Sequence, residues 1–399
     1  MELDACVRQL GGRAIPRLST PQINTPSCDD APGTRSFPAR VADTWTAVVV
    51  MLTGPMQLHH LVCAGNFVTW LEHLTSDTII PVLFYPFDEP FFQTHPHWAE
   101  DALNVSMCPT EFAGCRRHKT GRGQAVLTCE VDLKVPTRFG ANISAARTHF
   151  PNTFCGKPNH FSAEYVVGTK WFSFPMFLEP VMGHFDFWLK IDVDVCFLSA
   201  VRDDIIAPLV TNRAIFFHSH HTQENPVCEA TLGEFMQLYA RSMRAKACSD
   251  TREPPWPAWG QPNAYPTVAF SNFVGGWLGF WQSPAVLHFA RLWWEWDGGW
   301  SYRWSDQQFW IAALWMMNRN DSASVVDLTA WRATRNPRFR HSKAFFACSE
   351  NPLQRSQSNM VARPSQERQQ MARCRKQVFT GVLHEVLRGQ TPPVAQSFT

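Results

Sequence analysis

Two aspartates one residue apart, Asp192 and Asp194, are the side chains in this sequence best placed to do chemistry. They fall in the stretch FDFWLKIDVDVCF, Phe185 to Phe197, which reads as a buried strand ending in acid. Alternation along a strand sends residues i and i+2 to one side, so both carboxylates are expected to face the same way. Like charges held that close repel each other, and a cation or a shared proton is needed to offset them. Hard carboxylate oxygens suit Mn2+ or Mg2+, which makes both residues candidate metal ligands. A second group, His218, His220 and His221 in AIFFHSHH, has residues at alternate positions that would share a face and could bind a metal. A strand end opening into a polar loop also collects histidine, and that plainer reading is preferred here.

Strands and helices must bring these groups together. Residues 1 to 42 are rich in Pro, Ser, Thr and Arg without periodicity and read as a mobile leader. From Thr44, TWTAVVVML reads as a strand, Leu58 to Leu74 as a helix and IIPVLFYPF as a second strand, the start of a parallel sheet. Residues 100 to 160 are less regular, carry the basic run GCRRHKTGRGQ and are expected to form a surface insertion. After the acidic strand, Ser199 to Thr211 reads as a helix with Asp203 and Asp204 in its first turn. The Pro-rich passage Arg252 to Pro266 reads as a lid or a connection between a first half, 43 to 250, and a second, 260 to 350. In that second half Ser283 and Pro284 open a helix over Ala285 to Trp296, which Gly298 and Gly299 end. Asp306 is expected to open the next helix, Gln307 to Met317, and SVVDL reads as a strand. The polar tail, 351 to 399, is assigned no structure over 351 to 375.

Composition excludes more than it selects. A net charge of +2 with 18% charged residues gives no field that would recruit nucleic acid. The 17 Trp concentrate between Trp256 and Trp331, where most are expected to fill core and some could stack on sugar faces. The 12 Cys show no CxxC pair, which speaks against a zinc finger and for disulfides in an oxidising lumen. Sequons at Asn104, Asn142 and Asn320 agree with that compartment. No apolar run reaches 18 residues, and no signal-peptide pattern opens the chain.

The acidic strand and the block from Ser271 to Asp306 together resemble glycosyltransferase family 15, the fungal α-1,2-mannosyltransferases of the secretory pathway. FWLKIDVDVCF stands where that family has a YYWRVEPDVKF-like strand, with Asp192 in the place of its Glu and Asp194 in that of its Asp. SNFV, the following helix, DGGW and RWSD are similar to its SNFE, helix, Gly-Gly-aromatic turn and RWGD, in the same order. FRHSKAFFAC is loosely similar to its Tyr-x-His-x-Pro-Phe-x-x-Cys segment. The resemblance implies an α/β GT-A-like fold, a central and mostly parallel sheet flanked by helices. It further implies a divalent metal, a nucleotide sugar donor such as GDP-mannose, a glycan or glycoprotein acceptor and a Golgi lumen location.

On that reading the metal is held by Asp192, Asp194 and His341, and Lys190 and Arg303 contact phosphate oxygens, with a carboxylate facing Lys190 inside its buried strand as the alternative. Asp306 orients or deprotonates the acceptor hydroxyl, with a plain N-cap as its alternative role. Asn272 and the pair Gly275 and Gly276 let the backbone approach the donor, or else make a tight turn. Val274 replaces the family's Glu of SNFE, which bears on activity and stereochemistry because an acid near the anomeric carbon stabilises oxocarbenium character. Two other readings are carried: a degenerate transferase that binds glycans without turnover, and a haloacid-dehalogenase-type phosphatase using D-x-D with Mg2+.

Overall fold

The run TAVVVM, with three consecutive valines, forms strand β1 (Thr46–Met51), and all six residues are buried. The computed structural model describes residues 36–63, 66–133, 135, 163–223, 231–245, 267–269, 271–296, 300, 304–317, 323–328 and 339–341. Burial on both faces is what a parallel strand covered by other elements requires, and β2 (Ile79–Pro86) is buried throughout as well. The two run parallel, from the pair Thr46 and Ile79 to the pair Met51 and Phe84. Between them the single expected helix is two, α1 (Pro55–Cys63) and α2 (Asn66–His73). Ala64 and Gly65, between them, lie outside the described residues.

The expected surface insertion is corrected. Up to residue 131 this stretch supplies three strands of the main sheet, β3 (Val105–Phe112), β4 (Cys115–Thr120) and β5 (Ala125–Val131). β5 lies parallel to β2, while β4 is antiparallel to both β5 and β3. The basic run looked like a loop because only Cys115 and His118 of β4 are buried. A Cys115–Cys129 disulfide ties β4 to β5 beside the pair Arg116 and Thr128.

Four further strands complete a mixed nine-stranded sheet: β6 (Phe187–Ile191), β8 (Phe216–His218), β11 (Phe273–Trp277) and β12 (Val325–Asp327). The order is β12-β8-β11-β6-β1-β2-β5-β4-β3. Of the remaining strands, β7 (Val195–Phe197) pairs with β13 (Phe339–His341), and β9 (His221–Gln223) with β10 (Thr267–Ala269). The α/β fold read from the sequence is the one observed.

The described residues cluster in two compact units that interleave along the chain. One takes described residues from Trp45–Asp132 and Leu189–Ile206 together with β13, and holds the acidic segment. The other takes them from Leu133–Trp188 and Ala207–Thr329, and carries most of the tryptophans. In it Trp188, Trp281 and Trp310 pack with Phe177 and Phe216 at ring separations of 5.5–6.0 Å. The helices around them include α3 (Ala163–Trp171), α5 (Leu232–Ala245), α6 (Pro284–Glu295) and α7 (Asp306–Met316), with α4 (Arg202–Asn212) following the acidic segment. Ser283 and Pro284 do open α6, but α7 starts one residue earlier than expected. Ser305 is its N-cap, in a reciprocal capping box with Gln308, so Asp306 is the first helical residue and not the cap.

Gly276 is required by close packing. A Cβ there would overlap the carbonyl oxygen of Ile215 and lie 2.5 Å from Trp281 Nε1. That carbonyl already accepts from Trp277 N at 3.0 Å and Trp281 Nε1 at 3.2 Å. Gly276→Ala is therefore expected to cost roughly 3 kcal/mol in chemical denaturation, overpacking a core that cannot give way.

Candidate functional site

The acidic segment is a turn, which corrects the strand-alternation argument. β6 ends at Ile191, Asp192 to Asp194 turn the chain with Val195 N donating to Asp192 O at 3.0 Å, and β7 begins at Val195. Helix α2 holds this turn by three side chains spaced on one face. Asn66 Nδ2 donates to Val193 O at 2.7 Å, Trp70 Nε1 donates to Val195 O at 2.7 Å, and Thr69 Oγ1 accepts from Phe197 N at 3.1 Å. Both carboxylates remain partly accessible, and Cys196, directly after them, is buried and disulfide-bonded.

Lys190 supplies a counter-charge from within the chain. Its ammonium, 3% exposed, donates to Asp192 Oδ1 at 2.6 Å. Of the two contacts expected for Lys190, phosphate or carboxylate, the carboxylate one is present, because a buried ammonium needs an anion beside it. His60, on α1, was missed by sequence reasoning. Burial pushes its pKa down while the nearby Asp194 carboxylate acts the other way, leaving an imidazole close to the acid. The backbone of His341 lies opposite Val195 in the β13–β7 ladder, one residue from Asp194. The carboxylates of Asp192 and Asp194 are hard oxygen donors of the kind that suits a divalent ion such as Mn2+ or Mg2+, and of His341 the backbone alone is placed beside them. Arg303 lies outside the described residues.

The residues of the second block sit in the other unit. Asn272 is buried and accepts from Ser219 Oγ at 3.1 Å through Oδ1, and among the described residues its Nδ2 has no hydrogen-bond partner. Gly275 and Gly276 are in strand β11, which corrects the expected turn, and the close approach at Gly276 serves Ile215 and Trp281. Val274 is fully buried and pairs with His218 across β11 and β8. Asp306 is also buried, its Oδ1 accepting from Gln307 N at 2.9 Å, while Gln307 Nε2 donates to Ser271 Oγ at 3.1 Å. These bonds join the head of α7 to the residue preceding Asn272.

The histidine group does not follow strict alternation. His218 and His221, and not His218 and His220, come together, and Asp327 joins them with all three ligating atoms within 4.8 Å of one another. His220 Nδ1 instead bonds Ser219 Oγ at 3.0 Å. Alternation failed as a guide because the chain turns between β8 and β9. Burial, with the His221 ring beside it, pushes the pKa of His218 down to about 4 against the pull of Asp327, so it is neutral at pH 7.

No family model matches the chain, and no curated protein matches it in sequence. Solved structures do match. Core-mannan synthase A (CmsA/Ktr4) from Aspergillus fumigatus, in its Mn/GDP form, is 15% identical with a TM-score of 0.52, covering 90% of this chain and 91% of that one. The mannosyltransferase Ktr4p from S. cerevisiae in complex with GDP is 14% identical with a TM-score of 0.50, over 75% and 71% of the two chains. Another structure of Ktr4p is 12% identical with a TM-score of 0.48, over 68% and 66%. At such identities the likeness establishes the fold, which is the GT-A-like glycosyltransferase fold. These neighbours are family 15 mannosyltransferases, so the motif resemblance and the fold converge on the same group of proteins.

The grip of α2 on the acidic turn is open to test. Asn66→Ala leaves the Val193 carbonyl without its donor and should cost about 1–3 kcal/mol in urea or thermal denaturation. Asn66→Asp should cost more than Asn66→Ala at neutral pH, since a carboxylate would face that carbonyl oxygen. A milder effect for Asp than for Ala would mean the bond is misassigned.

Proposed function

We propose that this chain is a glycosyltransferase moving a hexose, with mannose from GDP-mannose as the first choice, to a glycan or glycoprotein acceptor. The observation that carries the reading is the acidic turn, fixed to α2 by three hydrogen bonds, on a fold shared with mannosyltransferases solved with GDP and Mn. A divalent ion at that turn would supply Lewis-acid charge to the departing nucleoside diphosphate. The chain's own residues do the rest. Asp194 is the principal ligand, Asp192 contributes while neutralising Lys190, and His341 approaches along the β13–β7 ladder. Asn272, whose buried Nδ2 has a hydrogen bond to give, is assigned to the donor sugar, and Arg303 to the donor side. Asp306 is assigned to the acceptor hydroxyl, its carboxylate orienting the O–H and receiving the proton as the new bond forms. A Golgi lumen location is supported by the Cys115–Cys129 disulfide and by an exposed Asn104 in its sequon. Among the described residues no helix is long and apolar enough to cross a membrane.

A second reading, sugar-nucleotide binding without transfer, is favoured by one observation. Val274 is fully buried where the resembled family carries a Glu, so this position brings no acid to the anomeric carbon. The phosphatase reading has nothing in its favour beyond the D-x-D spacing. Purified protein should release GDP from GDP-mannose only with Mn2+ or Mg2+ present. Asp194→Ala should lower that rate at least about 100-fold while thermal unfolding stays near that of the wild type. Turnover in the presence of a chelator would overturn the proposed chemistry. Binding of GDP-mannose with no release would select the non-catalytic reading, and hydrolysis of a phosphomonoester lost in Asp192→Asn would select the phosphatase.

A further inference from the structure

Three strand ends converge on a group that the transferase reading does not use. His218 closes β8, Asp327 closes β12, and the two residues are paired in the parallel β8–β12 ladder. Leu328 N donates to His218 O at 3.0 Å, which locks these strand ends together. His221 opens β9 three residues beyond His218 and is itself fixed by pairing with Ala269 of β10. The ligating atoms meet at short range. His218 Nδ1 is 3.8 Å from Asp327 Oδ1, the two imidazole rings are centred 4.1 Å apart, and all three ligating atoms lie within 4.8 Å of one another.

A second observation points to a ligand. His218 is 2% exposed, and among the described residues its Nδ1 makes no hydrogen bond. A buried ring nitrogen without a hydrogen bond costs free energy unless something else takes its lone pair or its proton. The two other members, His221 and Asp327, are exposed, so an ion can arrive from solvent and an open coordination position would face water.

We infer that His218, His221 and Asp327 form a site for a divalent transition-metal ion of the zinc class, built from none of the residues of the acidic turn. Two imidazoles and one carboxylate are the ligand types of zinc sites with an open fourth position, and they disfavour Mg2+ and Ca2+, which prefer all-oxygen shells. Ligands about 2.0–2.1 Å from a tetrahedral ion are about 3.3 Å from one another. Rotation of the exposed His221 and Asp327 side chains toward the buried His218 closes that difference, with the three backbones held by their ladders. The site stands independently of sugar transfer, since metal binding is read without any sugar nucleotide.

Co2+ is a suitable probe because its visible absorption reports tetrahedral coordination and Zn2+ displaces it. The full chain carrying Asp194→Asn, which weakens the acidic turn, should still bind Co2+ with a tetrahedral spectrum that Zn2+ abolishes. Adding His221→Ala or Asp327→Asn should weaken binding by at least about tenfold. Both positions are exposed, so thermal unfolding without metal should be unchanged in these variants, and Zn2+ should raise the unfolding temperature only where all three ligands are intact. A Co2+ spectrum indifferent to His221→Ala and Asp327→Asn would overturn the site. So would a Zn2+ thermal shift of the same size in wild type and both variants, or the lack of any tetrahedral Co2+ binding.

Discussion

The acidic turn depends on a reciprocal need between helix α2 and the backbone it holds. Trp70 is fully buried, so its indole N–H must find an acceptor, and the carbonyl of Val195, also buried, must find a donor. The 2.7 Å bond between them meets both needs at once. Asn66 and Thr69 repeat the arrangement at Val193 and Phe197, so successive backbone groups on both sides of Asp194 are fixed to one rigid element. Each bond contributes only about 1 kcal/mol net, yet each broken one strands a buried polar group at about 1–3 kcal/mol. The turn is thereby held in one place, and β13, laddered to β7, carries His341 to a definite register beside it.

In the other unit the constraint is aromatic volume. Trp188, Trp281, Trp310 and Phe216 occupy the space beside β8 and β11, and Trp281 comes so near that residue 276 can have no side chain. Strands pressed together in this way cannot slip, and a one-residue slip would turn every side chain over. Register then decides the chemistry at the strand ends. Val274 faces His218, and His218 faces Asp327, so the position that lacks an acid lies across the ladder from an imidazole.

How much of this was legible follows from the range of the interactions. β1, β2 and α6 were visible because apolar spacing and an N-terminal Ser-Pro are local signals. β3 and β4 were not, because most of their residues are at least partly exposed and their polar and charged side chains break up the apolar run. The two acids were found by type and spacing, but the turn that presents them was read as strand, since its geometry is dictated by Asn66 and Thr69, more than a hundred residues away. His60 and the pairing of His218 with His221 and Asp327 were invisible for the same reason. Only the folded ladders bring residue 327 beside residue 218.

The buried ammonium of Lys190 separates the roles of the two aspartates. At 3% exposure it cannot stand without an anion, and Asp192, 34% exposed, provides one at 2.6 Å. Part of the repulsion that seemed to demand a metal is therefore relieved from inside the chain. Removing Asp192 strips that counter-charge from a buried cation. The cost is roughly 2–3 kcal/mol, below the 3–5 expected of a fully buried pair because Asp192 is partly solvated. Loss of activity at position 192 would consequently mix destabilisation with lost ligation. Asp194 lies beside His60 and one residue before the Val195–His341 backbone pair. Of the two acids that first drew notice, Asp192 is the one whose placement is tied to the buried charge of Lys190, and Asp194 the one whose charge reaches the imidazole of His60.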